Sequence, residues 1–387
     1  MAPPLAGVRV VELGVALAGP AAAGILAAWG AEVVKVEPHE GDPQRGNTTN
    51  AYFSQDNRAK RSIALDLSTP QGSSIMASLL DRADVFVTNV RAAGLTRLGL
   101  DPTTVLDRNP RLVYGRISGY GFEGPAADRP GYDVGAFWSR AGVAAALVGP
   151  GNEPPIPRPA MGDHTTGVSL AAAILAGLFD RERTGEGRLV QTSLLRAGAF
   201  AISSDLAAQV NGEPPETGLR RALYNPMLGC YQAADGRWFF LLGLQAMRHW
   251  PNVLAAIGRE DLLDDERLTD LMALVVHRNE IIAAFDAEFA KHPLDEWARR
   301  FAEHDVWWDP VQSLEEIAAD PIAVDAGVFR PTVTGRTAIA PPADVDPPSL
   351  EPMAEVPELG QHTEEILLEL GFDWDRITAL ADEGVIP

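Results

Sequence analysis

Asp163 stands at the junction of two very different stretches. The Pro/Gly-containing loop Arg158-Pro-Ala-Met-Gly162 leads into it, and a strongly apolar helical run follows to Phe179. A carboxylate at a helix start has two readings. As an N-cap it accepts free backbone N–H groups and meets the positive end of the helix dipole. As a nucleophile it attacks a carbonyl carbon and carries the acyl group. Read from its immediate neighbours alone, the cap is the favoured reading, and the rest of the chain has to decide. Lys60 and Arg61, adjacent cations before the apolar strand Ile63-Ala-Leu65, read either as a solvated surface or as a phosphate clamp. Asn89 directly follows the strand Val85–Thr88, so it lies at the C-terminal edge of a parallel sheet, where such folds bind ligands. Other chemistry finds little support. Cys230 is the single cysteine and reads as a small core residue, and the seven histidines show no metal-ligand spacing.

The elements that position these residues follow from periodicity. Val8–Leu13 reads as a strand, Gly14–Pro20 as a turn, Ala21–Trp29 as an Ala-rich helix closed by Gly30, and Ala31–Val36 as a second strand ending at Glu37. This strand–helix–strand unit predicts a doubly wound parallel sheet. A helix over 72–82, another near 102–107 and a strand over 112–117 extend it to about four β/α units in 120 residues. The turn Gly14–Gly19 lacks the G-x-G-x-x-G spacing of a nicotinamide site. A literal G-x-G-x-x-G at Gly119–Gly124 precedes Pro125 and a polar loop rather than a helix, so it reads as a glycine-rich active-site loop or a plain turn. Residues 38–62 read as polar and irregular, and 119–162 as a long loop. A helix over 164–182, a strand over Leu189–Ser193 and a helix over 195–209 complete this region. A boundary is expected near 211–223. Beyond it, Asp235-Gly236 marks a hairpin within 229–240, and helices follow near 247–257, 278–291, 294–303 and 313–319. The tryptophans Trp238, Trp250, Trp297, Trp307 and Trp308 are expected in this smaller unit's core. Residues 331–357 are Pro-rich and read as an extended return linker, and an amphipathic helix starts at His362.

The bulk composition narrows the function. With 46% hydrophobic and 22% charged residues, the 387-residue chain is an ordinary globular protein of two or three domains. A net charge of −21 argues against nucleic acid or an anionic membrane as partner, and it requires a local basic pocket for any anionic ligand. One cysteine, no signal-peptide pattern and no run of about 18 apolar residues point to a reducing cytoplasm.

In order along the chain, Leu5–Leu13, Ala18-Gly-Pro20, Gly30–Glu37, Asn57–Leu67, Asn109–Tyr114, Ser118–Gly121, Gly162-Asp163, Arg183–Gly187 and His362–Leu367 resemble the class III coenzyme A transferases and their racemase relatives. The resemblance implies an α/β fold with a Rossmann-like large domain built from both chain ends (1–210 and 331–387) and a smaller α+β middle domain (211–330). It implies two chains interlocked as a homodimer. It implies a CoA transferase that moves coenzyme A from an acyl-CoA donor to a carboxylic acid acceptor, with CoA thioesters as substrates and no permanently bound cofactor or metal.

Asp163 then matches the family's nucleophile, which forms an aspartyl-CoA thioester. Coenzyme A would lie against Val15, Ala16, Leu17 and Ala18, then Leu65, Asn89, Val90, Gly94, Arg97 and Leu98. Arg97 is the first candidate for a CoA phosphate, with His39, Lys60 and Arg61 behind it, and Tyr132 falls beside the thioester. Departures bear on the substrate. Formyl-CoA transferases carry Gln where this chain has Leu17, and a glycine run where it has Asn225–Cys230, so a larger or more apolar acid than formate or oxalate is expected. The racemase branch has His where Tyr132 stands, and a phenol titrating near 10 replaces imidazole poorly as a base. An α-methylacyl-CoA racemase, a non-catalytic CoA-binding protein and a nicotinamide dehydrogenase are the alternatives.

Overall fold

The computed structural model describes residues 2–46, 51–149, 151–213, 225–345 and 351–387. The chain divides into two compact units, one of Met1–Ala144, Ile156–Leu206 and Asp325–Pro387, the other of Ala145–Pro155 and Ala207–Val324. The segment Ala145–Pro155, which the sequence leaves inside the first unit, groups with the second. The expected boundary near 211–223 falls mostly on 214–224, outside the described residues.

The first unit is built on six parallel strands: β1 (Arg9–Leu13), β2 (Glu32–Glu37), β3 (Arg61–Ala64), β4 (Val85–Thr88), β5 (Val113–Ser118) and β6 (Leu189–Ser193), in the order β3-β2-β1-β4-β5-β6. This is the doubly wound arrangement, and its order reverses between β1 and β4, where Leu13 lies opposite Thr88. Alternate strand residues fill opposite faces. Val11, Phe86 and Tyr114 pack with Ile75 and Leu79 of α3 (Pro70–Asp81) and with Ile366 and Leu380 of the C-terminal helices Thr363–Leu370 and Trp374–Asp382. Val10, Val85 and Val113 pack with α1 (Ala18–Ala28) and α7 (Met161–Thr184). Burial on both faces accounts for the nearly continuous apolar strands.

The remaining helices of this unit are α2 (Ala51–Asn57), α4 (Ala92–Arg97), α5 (Pro102–Arg108) and α8 (Leu194–Ala201), and α6 (Val143–Ala146) and α9 (Ser203–Val210) begin in it. Three readings need correction. Residues 38–62 contain α2 and a short 3₁₀ turn. The loop 119–162 contains a π-helix, Val134–Arg140. The helix expected over 195–209 is two, separated at Ile202. The return segment is not simply extended either: Phe329–Pro331 and Thr337–Ile339 pair as an antiparallel hairpin, and Thr332 bridges to Met353.

The second unit is a three-stranded antiparallel sheet, Cys230–Gln232, Trp238–Leu241 and Trp308–Pro310, packed against helices Ala246–Ile257, Leu271–Val276, Arg278–Phe289 and Leu294–Glu303. Trp250 and Trp297 are buried in its core as expected. Trp238 and Trp307 are exposed, and Cys230 is half-buried.

Beneath the β1–α1 turn lies a group of charges that hydropathy does not show. Glu12 and Lys35 sit within strands, and with Lys60 they are fully buried. Glu12 accepts from Lys35 Nζ at 2.9 Å and from Lys60 Nζ at 2.5 Å. Lys35 also donates to the Gly14 carbonyl at 3.0 Å and meets Asp42 at 3.2 Å, while Lys60 donates to the Pro20 carbonyl and Asn57 Oδ1, each at 2.9 Å. Burial alone would raise the Glu12 carboxyl, but the two ammonium groups outweigh it and hold it below the usual carboxylate range. Burial also pulls down both lysines. Glu12, Asp42 and Glu37 reverse this for Lys35 and hold it above its ordinary value. Lys60 has fewer anionic neighbours and is pushed down to about 8.

The two lysines thus grip the two ends of the turn 14–20. Glu12→Gln leaves two buried cations without their shared carboxylate. The expected outcome is a loss of about 3–5 kcal/mol in urea unfolding, the usual cost of breaking a buried ion pair from one side.

Candidate active site

Asp163 is the third residue of α7. The helix begins after Ala160, which adopts the left-handed conformation (φ 73°) and makes no capping hydrogen bond. Asp163 is therefore not the N-cap, and its carboxylate accepts no hydrogen bond among the described residues. The capping reading fails because the helix starts two residues earlier. The backbone amide of Gly162 is instead taken by Asp133 Oδ2 at 3.3 Å.

Three glycines fix where this carboxylate sits. A Cβ on Gly162 would come within 2.6 Å of Phe137 Cγ and 3.0 Å of Asp133 Cβ, so α7 begins in direct contact with the π-helix. One turn later, a Cβ on Gly167 would lie 2.9 Å from Ala21 Cβ and 3.1 Å from the Ala18 carbonyl. α7 and α1 consequently touch backbone to backbone, which brings the start of α7 alongside the turn before α1. Gly119 of the glycine-rich loop packs against Gly131 Cα at 2.8 Å from its would-be Cβ, which carries the loop to Tyr132 and Asp133.

The turn itself is set by Asn89. Its Oδ1 accepts from Val15 N at 2.9 Å and its Nδ2 donates to Val15 O at 2.7 Å, a two-bond clamp across the point where the strand order reverses. Gly19 lies against it, with a would-be Cβ 3.1 Å from Asn89 Cγ. Ala16 is held at φ 61°, an uncommon conformation for alanine that leaves this backbone close-packed and open at its outer side. Val15 is exposed, while Leu17 and Ala18 are buried. Val90 follows on the β4–α4 connection and Gly94 in the first turn of α4. Arg97 is the exposed last residue of α4, and Leu98 is half-buried against the sheet core.

His39 and Leu65 line a neighbouring cavity of about 370 Å³ with Leu13, Glu37 and Asp66, outside the carboxyl ends of β1, β2 and β3. His39 Nε2 meets the Val385 carbonyl at 3.2 Å. Tyr132 is 76% exposed.

Two sequence candidates are placed elsewhere. Lys60 is neither a surface cation nor a phosphate clamp, since its three protons go to Glu12, Pro20 O and Asn57 inside the core. Arg61 is committed to Glu369 through both terminal nitrogens, at 3.0 and 2.9 Å, and to Glu365 at 3.1 Å. Conversely, sequence reasoning passed over Asp56 and Asp133. Asp56, on α2, is 4% exposed; its Oδ1 meets His164 Nε2 at 3.1 Å, and its Oδ2 has no hydrogen-bond partner among the described residues. The only signal for Asp56 was its place before the recognisable Asn57-Arg-Ala-Lys run.

The electrostatics follow from this crowding. Burial, then the Asp133 carboxylate, push the Asp163 carboxyl up to about 7; His164 pulls against them and Asp56 adds to them. His164 is raised above its ordinary value, chiefly by its hydrogen bond to Asp56.

The site is thus a carboxylate with no hydrogen-bond partner among the described residues, on a doubly wound sheet whose strand order reverses at the Asn89-clamped turn. The family model for CoA-transferase family III matches residues 5–363. The chain is 32% identical over 397 residues to the (R)-2-hydroxy-4-methylpentanoate CoA-transferase of Clostridioides difficile, covering 99% of both chains. It is 29% identical to the α-methylacyl-CoA racemase of Homo sapiens, over 99% of this chain and 97% of that one. It superposes on the crystal structure of Rv3272 from M. tuberculosis with a TM-score of 0.84 at 28% identity, covering 94% of this chain and 99% of the other. The chain belongs to CoA-transferase family III, and it is an enzyme of the class that moves coenzyme A between an acyl-CoA and a carboxylate.

A test of the Asp163 environment needs no substrate. Its carboxyl titrates near 7 when folded and near 3.8 when unfolded, so folding loses stability as the pH rises through that interval. Asp163→Asn stays neutral throughout. It is expected to melt higher than the wild type at pH 8 and at the same temperature at pH 3.5, read by differential scanning calorimetry.

Proposed function

We propose that Asp163 is the nucleophile and that transfer runs through an aspartyl-CoA thioester. The observation that carries this reading is the open, hydrogen-bond-free Asp163 carboxylate at the start of α7, next to the Asn89-clamped turn. The Asp163 carboxylate attacks the donor thioester carbonyl, the C–S bond breaks, and a mixed anhydride and CoA thiolate result. The thiolate attacks the aspartyl carbonyl and expels the donor acid. The acceptor carboxylate then attacks the aspartyl-CoA carbonyl and releases the thiolate. Finally the thiolate takes the acyl group from the new anhydride and restores the Asp163 carboxylate. One thioester replaces another, so no external energy source enters.

The local charges favour this course. Asp163 ionises against burial and two neighbouring carboxylates, so its anion is more basic than an exposed aspartate. Acylation removes that charge and with it the repulsion from Asp133 and Asp56. The backbone amides of Met161 and Asp163 face no backbone acceptor among the described residues, which leaves donors for the oxyanions that form at each step.

For coenzyme A, the reading places the thioester arm along Val15–Ala18 and Asn89, with the nucleotide end toward His39, Leu65 and Arg97. Lys60 and Arg61 are removed from that set because both are committed elsewhere. Self-association as an interlocked homodimer agrees with the exposure of Tyr132, Phe179 and Phe200. As acyl group, a branched 2-hydroxy acid is the first candidate, given the Clostridioides difficile relative and the apolar Leu17 in the turn.

Three outcomes check this. Incubation with (R)-2-hydroxy-4-methylpentanoyl-CoA is expected to leave a covalent adduct on Asp163 in intact-protein mass spectra, and Asp163→Ala is expected to lose both the adduct and at least about a thousandfold in transfer rate. An unchanged rate in Asp163→Ala excludes the mechanism. Because only the ionised carboxylate attacks, kcat/KM should fall tenfold per pH unit below about 7 and level off above it. Asn89→Ala, which frees the turn, should raise KM for the acyl-CoA by roughly tenfold, the effect of loosening a positioned binding element. Deuterium wash-in at the α-carbon without an acceptor acid would favour racemisation instead.

A further inference from the structure

Four ionisable groups from three elements meet at the first turn of α7. Asp163 and His164 belong to α7, Asp133 to the start of the π-helix, and Asp56 to α2. His164 is fixed at both ends: its backbone amide donates to Ala160 O at 2.8 Å, and its ring meets Asp56 Oδ1 at 3.1 Å. Asp56 is itself immobile. α2 packs so tightly on α1 that a Cβ on Gly24 would lie 2.6 Å from the Asp56 carbonyl. Asp56, whose buried Oδ2 has no hydrogen-bond partner among the described residues, lines a cavity of about 410 Å³ that His164 also lines, with Ala21, Ile25 and Val168. The cations nearest this cavity are engaged: Arg58 with Glu355 at 2.9 Å, and Arg330 with the Glu351 carbonyl at 2.5 Å. Behind Asp56, Lys60 is held by Glu12. His164 is therefore the cation available to Asp163 among these groups.

We infer that Asp56 and His164 form a positioning pair that holds a positive imidazolium beside the nucleophile and thereby sets the pH at which Asp163 becomes reactive. The inference rests on the reading of Asp163 as nucleophile. Asp56 favours the protonated ring by accepting from it and by its own charge, and the ring in turn favours the ionised form of Asp163 against Asp133 and Asp56. The pair does not touch the reacting atoms. An ion pair that merely tied α2 to α7 would change the melting temperature without moving any titration.

The test combines pH–rate profiles with histidine ring NMR. His164→Gln is expected to raise the midpoint of kcat/KM for (R)-2-hydroxy-4-methylpentanoyl-CoA by about one pH unit, the scale of one partly screened neighbouring charge. His164→Lys is expected to bring it back toward the wild-type value. In the ligand-free protein, the His164 resonance should titrate above the ordinary histidine range, and Asp56→Asn and Asp163→Asn should each lower its midpoint, the second by reciprocity. A midpoint of kcat/KM that stays put in His164→Gln overturns the inference, as does a His164 titration indifferent to Asp163→Asn, which also decides the matter if His164→Gln fails to fold. Absence of any aspartyl adduct in the wild type would sink the nucleophile reading itself, a result distinct from either of these.

Discussion

A buried cluster of charges in the middle of an apolar sheet is the constraint that most of this site depends on. Glu12 sits between Lys35 and Lys60, all three shut off from water. Isolated charges there would be prohibitively unfavourable, so each must be matched and hydrogen-bonded. The spare protons of the lysines go to the carbonyls of Gly14 and Pro20, the two ends of the β1–α1 turn. The turn proposed to present backbone to coenzyme A is thereby held from below by ions and from the side by Asn89. The left-handed Ala16 shows that the conformation is imposed rather than chosen by the local sequence.

The second constraint is steric. Gly162 and Gly167 each stand where any side chain would collide, the first with Phe137 and the second with α1. Together they bring the start of α7 against the π-helix on one side and the turn on the other. The Gly-Asp junction thus acquires a physical meaning: the glycine is there so that the aspartate can come close to its neighbours. Close approach also supplies the electrostatics, because Asp133 and Asp56 are near enough to oppose ionisation of Asp163.

This arrangement explains how a strongly acidic protein can handle an anionic substrate class. The net charge is −21, and at the site the Asp56–His164 pair stands beside Asp163 and Asp133. Asp163 carries its charge reluctantly and, in the proposed mechanism, loses it on acylation. His164 supplies the opposing charge within the same turn, and its own protonation depends on Asp56. Membership of CoA-transferase family III accords with the proposal that the Asp163 carboxylate carries the chemistry.

The residue pattern alone determined a good deal. Strands β4 and β6 were legible to the residue, β4 because a continuous apolar run between polar turns leaves few alternatives. The doubly wound class followed from one strand–helix–strand unit, and Asn89 could be placed at a ligand-binding edge because parallel strands all end on the same side. Tertiary structure alone decided the rest. Lys60 looked like an accessible cation, but pairing with Glu12, 48 residues away, buries it. Asp163 looked like a helix cap, yet contacts with Phe137 and Asp133 start the helix two residues early and leave the carboxylate open. Asp56 had no signal beyond its place before the Asn57-Arg-Ala-Lys run, because its importance lies in reaching His164 across 108 residues. Local patterns fix which elements form, since hydrophobic period and turn chemistry are short-range. Which charges are buried, paired or left reactive depends on contacts between residues far apart in the chain.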